Sequence, residues 1–402
     1  MYKCKFEDIV LQPDGFLRGP FGSALKKSLF VSKSEDAYKV YEQSVVLQQD
    51  KTLGSYYISK KYFEEEMYRF AVKSGDFLVS CSGVNYGAIY QLKGKVDKGV
   101  INQALLRIRL NTDIVDEKFF LYYFKTYIVK KIIGGTGDST IPNFPPMSVI
   151  KSIDIELPKI EIQRKIGSIL GQIEDKVINN NNISKELEVM AKTIYDYWFL
   201  QFDFPNEHGK PYKSSGGKMV WNEELQREIP EGWENGYIKD FIEICNGRDH
   251  KELEDGNIPV YGSGGIIRTV NKYLYSGESV LIPRKGTLNN VIYVNEQFWT
   301  VDTMFYSILK KVNSGFYTYY SVKLNDFEKL NTGTGVPSMT TAIIYSLKVV
   351  VPPDEVLKSF DEKMQAIYGI VKHNRAENRE LGQLRDFLLP LLMNGQVGFR
   401  ED

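Results

Sequence analysis

The stretch SGDFLVSCSGVNYGAIY, residues 74–90, returns in altered letters as SGESVLIPRKGTLNNVIY, residues 276–293. Each copy opens on a Ser-Gly-acid turn, runs on as a short β-rich segment, crosses a glycine-containing loop and ends on Ile-Tyr. Next come VINQALLRIRL (100–110) and VDTMFYSIL (301–309), both strand-like, and then the aromatic, helix-like FFLYYFKTYIVKKI (119–132) and FYTYYSVKLNDFEKL (316–330). A Gly-Thr-Gly loop closes each series, GTGDST at 135–140 and GTGVPS at 333–338. The offset drifts only from 202 to 198, as small loop deletions would make it, so the chain is an internal repeat.

Beyond each loop the pattern changes. IDIELP (153–158) and LKVVVPP (347–353) read as strands ending in proline, which suits the first turn of a helix. Ile166, Ile173, Asn180, Leu187 and Ile194 then recur every seven residues, and so do Phe360, Ile367, Asn374, Leu381 and Leu388. Ile169, Ile183 and Met190 are expected to fill the intermediate seam of the first helix, with Met364, Ile370 and Leu384 near that of the second. This is a coiled-coil signature over about four heptads. Asparagine holds the central core position in both helices. If they pack antiparallel about a pseudo-twofold axis, Asn180 faces Asn374 and the two share side-chain amide hydrogen bonds, fixing register at some cost in stability. Helices of about 35–40 residues would span about 50–60 Å, with the globular repeats at opposite ends of a rod.

Bulk properties agree with two soluble domains. The 402 residues exceed one ordinary core, and 43% hydrophobic with 25% charged residues is ordinary globular composition. No apolar run reaches the length of a membrane span, and MYKCKFEDIV lacks the basic-then-apolar layout of a signal peptide. Cys4, Cys81 and Cys245 are scattered, which fits a reducing cytoplasm and excludes a clustered zinc site. Lys+Arg and Asp+Glu are both 51, whereas most stand-alone DNA binders are more basic.

The order of these motifs resembles the specificity subunit of type I restriction–modification enzymes. GPFGSALKK (19–27), the two Gly-Thr-Gly loops, the proline-led helices, ELPKIEIQRKIGSIL (156–170) and the linker DFPNEHGKPYKSSGGKMVWNEELQREIPEGWENG (203–236) carry the resemblance over nearly the whole chain. REIPEGW (227–233) precedes the second repeat, and nothing equivalent precedes Tyr2, so the first repeat is expected to lack a short opening segment. The resemblance implies an α/β (α+β) fold. Two similar target-recognition domains, 1–152 and 236–346, would be separated by two long antiparallel coiled-coil helices in spacer regions 153–202 and 347–402, with a linker at 203–235. It implies a non-catalytic chain that binds double-stranded DNA. Each repeat would read one half of a split sequence, and the helices would set the spacing and dock methyltransferase subunits, two of them. No cofactor is implied for this chain. S-adenosylmethionine belongs to the methyltransferase partner, ATP and magnesium to a motor-nuclease partner.

The residues agree with an absence of intrinsic chemistry. An adenine methyltransferase needs an Asn/Asp-Pro-Pro-aromatic loop, and NFPP (143–146) has the wrong order. There is no GxxxxGK[ST] phosphate loop, and GSGG (262–265) reads as a strand-end turn. Asp354, Glu355 and Lys358 fall in the first turn of the second spacer helix, where acids complement the helix dipole. His208, His250 and His373 share no local motif with a partner.

DNA contact is the positive expectation. Residues 1–150 hold 21 basic and 16 acidic side chains, residues 236–350 hold 12 and 11, so partners are expected to supply much of the non-specific grip. Ser82, Asn85 and Tyr86 in the first repeat are candidates for base contact. Their counterparts are Arg284, Lys285, Thr287, Asn289 and Asn290 in the second. Arg18, Lys26 and Lys27 beside GPFGS, and Tyr261 and Arg268 beside GSGG, are candidates for phosphate. Thr136, Ser139, Thr334 and Ser338 could also donate to phosphate, but a turn into the spacer strand is the simpler role. Two other classes remain open: a duplicated protein-interaction scaffold, which net neutrality favours, and an autonomous DNA enzyme, which the missing motifs oppose.

Overall fold

The computed structural model describes residues 2–83, 85–134, 144–330 and 337–399. Both Gly-Thr-Gly triplets therefore lie outside the described residues, together with Thr136, Ser139 and Thr334; Pro337 and Ser338 lie inside. The chain forms two compact units, one of residues 1–178 with 378–402, the other of residues 179–377.

In the first unit, Tyr2–Lys5 pairs antiparallel with Asp154–Leu157. A four-stranded antiparallel sheet follows in the order Phe16–Arg18, Leu105–Ile108, Phe77–Ser80, Ile89–Gln91. Beside it, Ala37–Tyr41 runs parallel to Gly99–Ile101. The helix that begins at Glu117 is capped by Asp116, whose carboxylate accepts from the Phe119 amide at 2.9 Å. Its rings Phe119, Phe120 and Phe124 are buried against Phe6 and Phe77.

The second unit repeats this plan. Glu234–Tyr237 pairs with Lys348–Val351, and Ile242–Asn246, Met304–Leu309, Tyr275–Pro283 and Ile292–Thr300 are ordered like the first sheet. Asp255–Gly262 and Gly265–Val270 extend the sheet, and Asp255–Gly262 runs parallel to the end of Ile292–Thr300. The opening turns also match: the amides of Lys5 and Tyr237 donate to Asp8 and Asp240, each at 2.7 Å. An opening strand is thus present in both copies, Tyr2–Lys5 and Glu234–Tyr237. REIP instead forms the second half of a hairpin with Met219–Asn222. The 203–235 segment is no loose linker: Phe204, Ile229 and Trp233 are buried in the core of the second unit. Its polar composition hides apolar anchors spaced too irregularly to read as a strand or helix.

The spacer helices run Ile160–Tyr195, continued by a π turn over Asp196–Leu200, and Asp354–Met393. They pack antiparallel within each unit. In the first, Ile166 and Leu170 share a core with Leu388, Leu392 and Met393; in the second, Tyr195 and Trp198 meet Phe360. The sevenfold positions hold, with Ile166, Asn180, Phe360, Ile367 and Asn374 buried. The intermediate seam falls only in part where expected. Met364 is buried as expected, but Ile183, Met190, Ile370 and Leu384 are each at least 40% exposed, and the other buried partners are Leu170, Ser184, Ala191 and Val371. Both the third and the fourth residue after a core position flank it on a helix. The small side chains of Ser184 and Ala191 allow the close approach, a choice hydrophobicity alone does not make.

Asn180 and Asn374 do meet, by a different bond. The Asn374 amide donates to the main-chain carbonyl of Asn180 at 3.4 Å and to Ser184 Oγ at 3.2 Å, and the Asn180 amide donates to Glu377 Oε2 at 2.7 Å. The contact thus runs through main-chain and hydroxyl partners that the backbone brings near. Each aromatic helix also docks on its own spacer: Tyr122 donates to Glu174 at 2.6 Å, and Tyr320 and Tyr368 hydroxyls lie 3.1 Å apart.

Candidate nucleic-acid interface

In the first unit, four pieces of chain meet at one end of the sheet. Arg18 ends its strand, and Gly19 follows, donating to the Leu105 carbonyl at 2.9 Å. A Cβ on Gly19 would lie 1.8 Å from the Asn102 carbonyl oxygen, so only glycine permits this approach. The Cys81 amide donates to the Ala104 carbonyl at 2.8 Å, and Gln43 Nε2 donates to Ser80 Oγ at 2.7 Å and the Ser82 carbonyl at 2.5 Å. The 82–86 loop, the 102–104 turn, the GPFGS turn and Gln43 therefore form one edge. Asn85 is exposed and Tyr86 half-buried, and both line a cleft of about 410 Å³ with Gln49 and Lys125. The Arg18 guanidinium stands over the Phe144 ring at 5.6 Å. Phe21 is 90% exposed at the tip of GPFGS. Lys26 and Lys27 are exposed beyond it, on a segment anchored by buried Leu25, and among the described residues nothing bonds them to the 82–86 loop. Burial pushes the Cys81 thiol up to about 12, so this loop cysteine is no nucleophile.

The second unit assembles the same edge from different side chains. Arg284 donates from its amide to the Thr303 carbonyl at 2.9 Å, and its guanidinium lies over Phe305 at 5.8 Å. Lys285 bridges to Ser338 through the main chain. Lys285 and Thr287 are exposed, and among the described residues their side chains form no hydrogen bond. Asn289 is committed to the fold: its oxygen accepts from the Phe327 amide at 2.8 Å and its nitrogen donates to Asp326 at 3.3 Å. Asn290 donates to the Ser263 carbonyl at 2.8 Å. These two amides shape the loop, Asn290 half-buried and Asn289 at the solvent-exposed surface.

Tyr261 is corrected outright. It is 7% exposed, and its hydroxyl donates to Glu296 at 2.8 Å. Its counterpart is Tyr41, fully buried and donating to the Asp97 carbonyl at 2.9 Å. Tyr41 pairs across the parallel strands with Ile101 as Tyr261 does with Thr300. Both close a core, so neither meets phosphate. Arg268 is half-buried and donates to the Leu253 carbonyl at 2.7 Å and to Asp255 at 3.0 Å, a largely internal use. The Val-Tyr pairs at 40–41 and 260–261 were a legible repeat signal that would have placed Tyr261 in the core. Gln43 and Ser263, which follow them and hold the two loops, were missed. Ser263 lies within GSGG, which was read only as a turn, and no motif marks Gln43.

Arg107, Arg109, Asp14 and Asp76 form a network behind the first edge. Arg109 donates to both Asp76 oxygens at 2.7 and 3.1 Å, and Arg107 and Arg109 both pair with Asp14. Arg107 and Asp76 are 0% and 1% exposed. The equivalent acid in the second unit, Glu278, instead accepts from Tyr293 at 2.7 Å near Asp361 of the spacer helix. Among the described residues no group of three His, Cys, Asp or Glu could hold a metal ion, and no helix is long and apolar enough to cross a membrane.

A duplicated α/β scaffold that presents unlike polar loops at the same sheet end, joined through paired long helices, defines a protein of the two-site recognition class. Residues 21–189 and 230–381 match the type I restriction modification DNA specificity domain, and the chain belongs to that family. It is 25% identical over 391 residues to the type I restriction enzyme MjaIX specificity subunit of Methanocaldococcus jannaschii, covering 87% of this chain and 83% of that one. It is 22% identical over 404 residues to the HindI specificity subunit of Haemophilus influenzae, covering 81% and 87%. The crystal structure of a type I restriction–modification S subunit from M. genitalium shares the fold, with a TM-score of 0.64 and 16% identity over 97% of this chain and 95% of that one. The chain is thus a DNA sequence-recognition subunit of a type I restriction–modification system.

Proposed function

We propose that each unit reads one half of a bipartite duplex DNA sequence, and that the spacer helices set the unread gap and dock two methyltransferase subunits. One observation carries this reading: equivalent sheet ends present Ser82, Asn85 and Tyr86 in one unit and Arg284, Lys285 and Thr287 in the other. A shared scaffold with unlike side chains is what two unlike half-sites require, because sequence is read by side chains at base edges. Arg18, Lys26 and Lys27 supply phosphate contacts. Asn180 and Asn374 act on helix register. Ile183, Met190 and Tyr197, spaced by seven residues and exposed by at least 40%, offer an apolar stripe for methyltransferase helices. The chain itself contributes recognition. S-adenosylmethionine is bound by the methyltransferase, and ATP with magnesium by a restriction subunit.

The test is methylation mapping. The chain is co-expressed with its neighbouring methyltransferase in a methylation-free bacterial host, and modified adenines are mapped by single-molecule sequencing. Two short specified blocks around a fixed gap support the reading. A stable complex that yields no split motif overturns it in favour of a protein-interaction scaffold.

A further inference from the structure

The strands Asp255–Gly262 and Gly265–Val270 form a two-stranded ribbon at the edge of the second unit's sheet. Its tip is Gly262-Ser263-Gly264-Gly265, with Gly265 at a φ of +114°, a conformation that favours glycine. Directly behind the tip, Ile266 and Ile267 are 63% and 55% exposed. Ile266 pairs with Tyr261, and Ile267, left without a cross-strand partner by a register shift, reaches over the adjacent Gly262. Tyr261 and Gly262 are neighbours on one strand and face opposite ways, so the ribbon carries an exposed isoleucine on each face. Ile267 lies over Gly262, where a Cβ would come within 2.7 Å of it.

The ribbon is tied to the loop that carries the cationic candidates. Asn290 holds the Ser263 carbonyl at 2.8 Å, and a Cβ on Gly286 would lie 2.8 Å from Ser263 Oγ. Arg284, Lys285 and Thr287 belong to that loop. A thin, two-faced apolar tip beside cations fits a groove with two walls and phosphates along its rim. The major groove of B-DNA is about 12 Å wide and admits a two-stranded ribbon, and its apolar feature is the C5-methyl of thymine.

We infer that this ribbon enters the major groove of the second half-site, and that Ile266 and Ile267 contact thymine C5-methyl groups there. The inference rests on the half-site reading proposed above.

The test starts from the mapped second block. Synthetic duplexes carry thymine or uracil, which lacks only the methyl, at each thymine of that block, and binding is measured with the complete methyltransferase complex. Wild type should bind the critical uracil duplex about four-fold more weakly per lost contact. The Ile266→Ala/Ile267→Ala complex should bind the thymine duplex as weakly and be indifferent to uracil. Ile266→Thr/Ile267→Thr, which keeps β-branching, should behave alike, and the uracil series leaves the protein untouched should either variant misfold. A second block without thymine, a flat uracil series with wild type, or a variant that keeps full uracil sensitivity overturns the ribbon assignment while the half-site reading stands. A variant that loses methyltransferase association but keeps its uracil response also overturns it and marks the tip as a protein contact. Failure to find any second block would instead sink the half-site reading itself.

Discussion

Replacing Asp76 by Asn should unfold the first unit selectively. Asp76 is 1% exposed and accepts from the Lys73 amide at 2.9 Å and from Arg109 at 2.7 and 3.1 Å. Arg107 and Arg109 are balanced by Asp14 and Asp76, so the substitution leaves one excess positive charge in a buried site and turns an amide donor toward guanidinium donors. Removing one partner of a buried pair costs about 3–5 kcal/mol, and the lower end applies because half-exposed Asp14 remains. With a urea slope of about 2 kcal/mol/M, the midpoint should fall by about 1.5 M. The assay exploits the four tryptophans, Trp198, Trp221, Trp233 and Trp299, which all belong to the second unit. Circular dichroism should gain an early transition that tryptophan fluorescence does not see. Asp76→Asn with Arg109→Met should recover most of the loss, since removing both charges spares the fold an unpaired one. A circular dichroism shift below about 0.5 M, or an equal shift of the fluorescence transition, would refute the reasoning.

Burial raises the carboxyls of Glu278 and Asp361, an effect opposed at Glu278 by the Tyr293 hydroxyl and at Asp361 by Gln365. A raised folded pKa stabilises below the ordinary carboxylate range and is lost as pH climbs through the raised value. The second unit should therefore weaken as pH climbs above the ordinary carboxylate range, by a component absent from Glu278→Gln/Asp361→Asn; equal slopes in both proteins would count against it. Lys285→Ala should relax the mapped second block or lower its methylation while leaving the first block intact, and a change confined to the first block would contradict the assignment. Inserting one heptad into both spacer helices, beside Asn180 and Asn374, adds about 10 Å of helix and should lengthen the unread gap by about three base pairs. An unchanged gap would reject the helices as a ruler.

Periodicity and duplication carried most of the architecture. The Ser-Gly-acid turns, the Ile-Tyr strand ends and the sevenfold core positions were legible because hydrophobic spacing is a local property of the chain, and a repeat states it twice. Net charge, by contrast, pointed away from DNA, because a neutral total says nothing of where the charges sit. Side-chain commitments were decided only in three dimensions. Tyr261 looks like an exposed polar group in sequence yet is buried against Glu296, and Asn289, though exposed, is claimed by Asp326 and the Phe327 amide. The inner seam went to Ser184 and Ala191 rather than Ile183 and Met190, because both the third and the fourth residue after a core position flank it and local spacing does not choose between them. Sequence by itself determined which elements form and that they recur. Tertiary structure decided which polar groups remain for DNA, because a hydrogen bond to a partner far along the chain leaves no trace in local pattern.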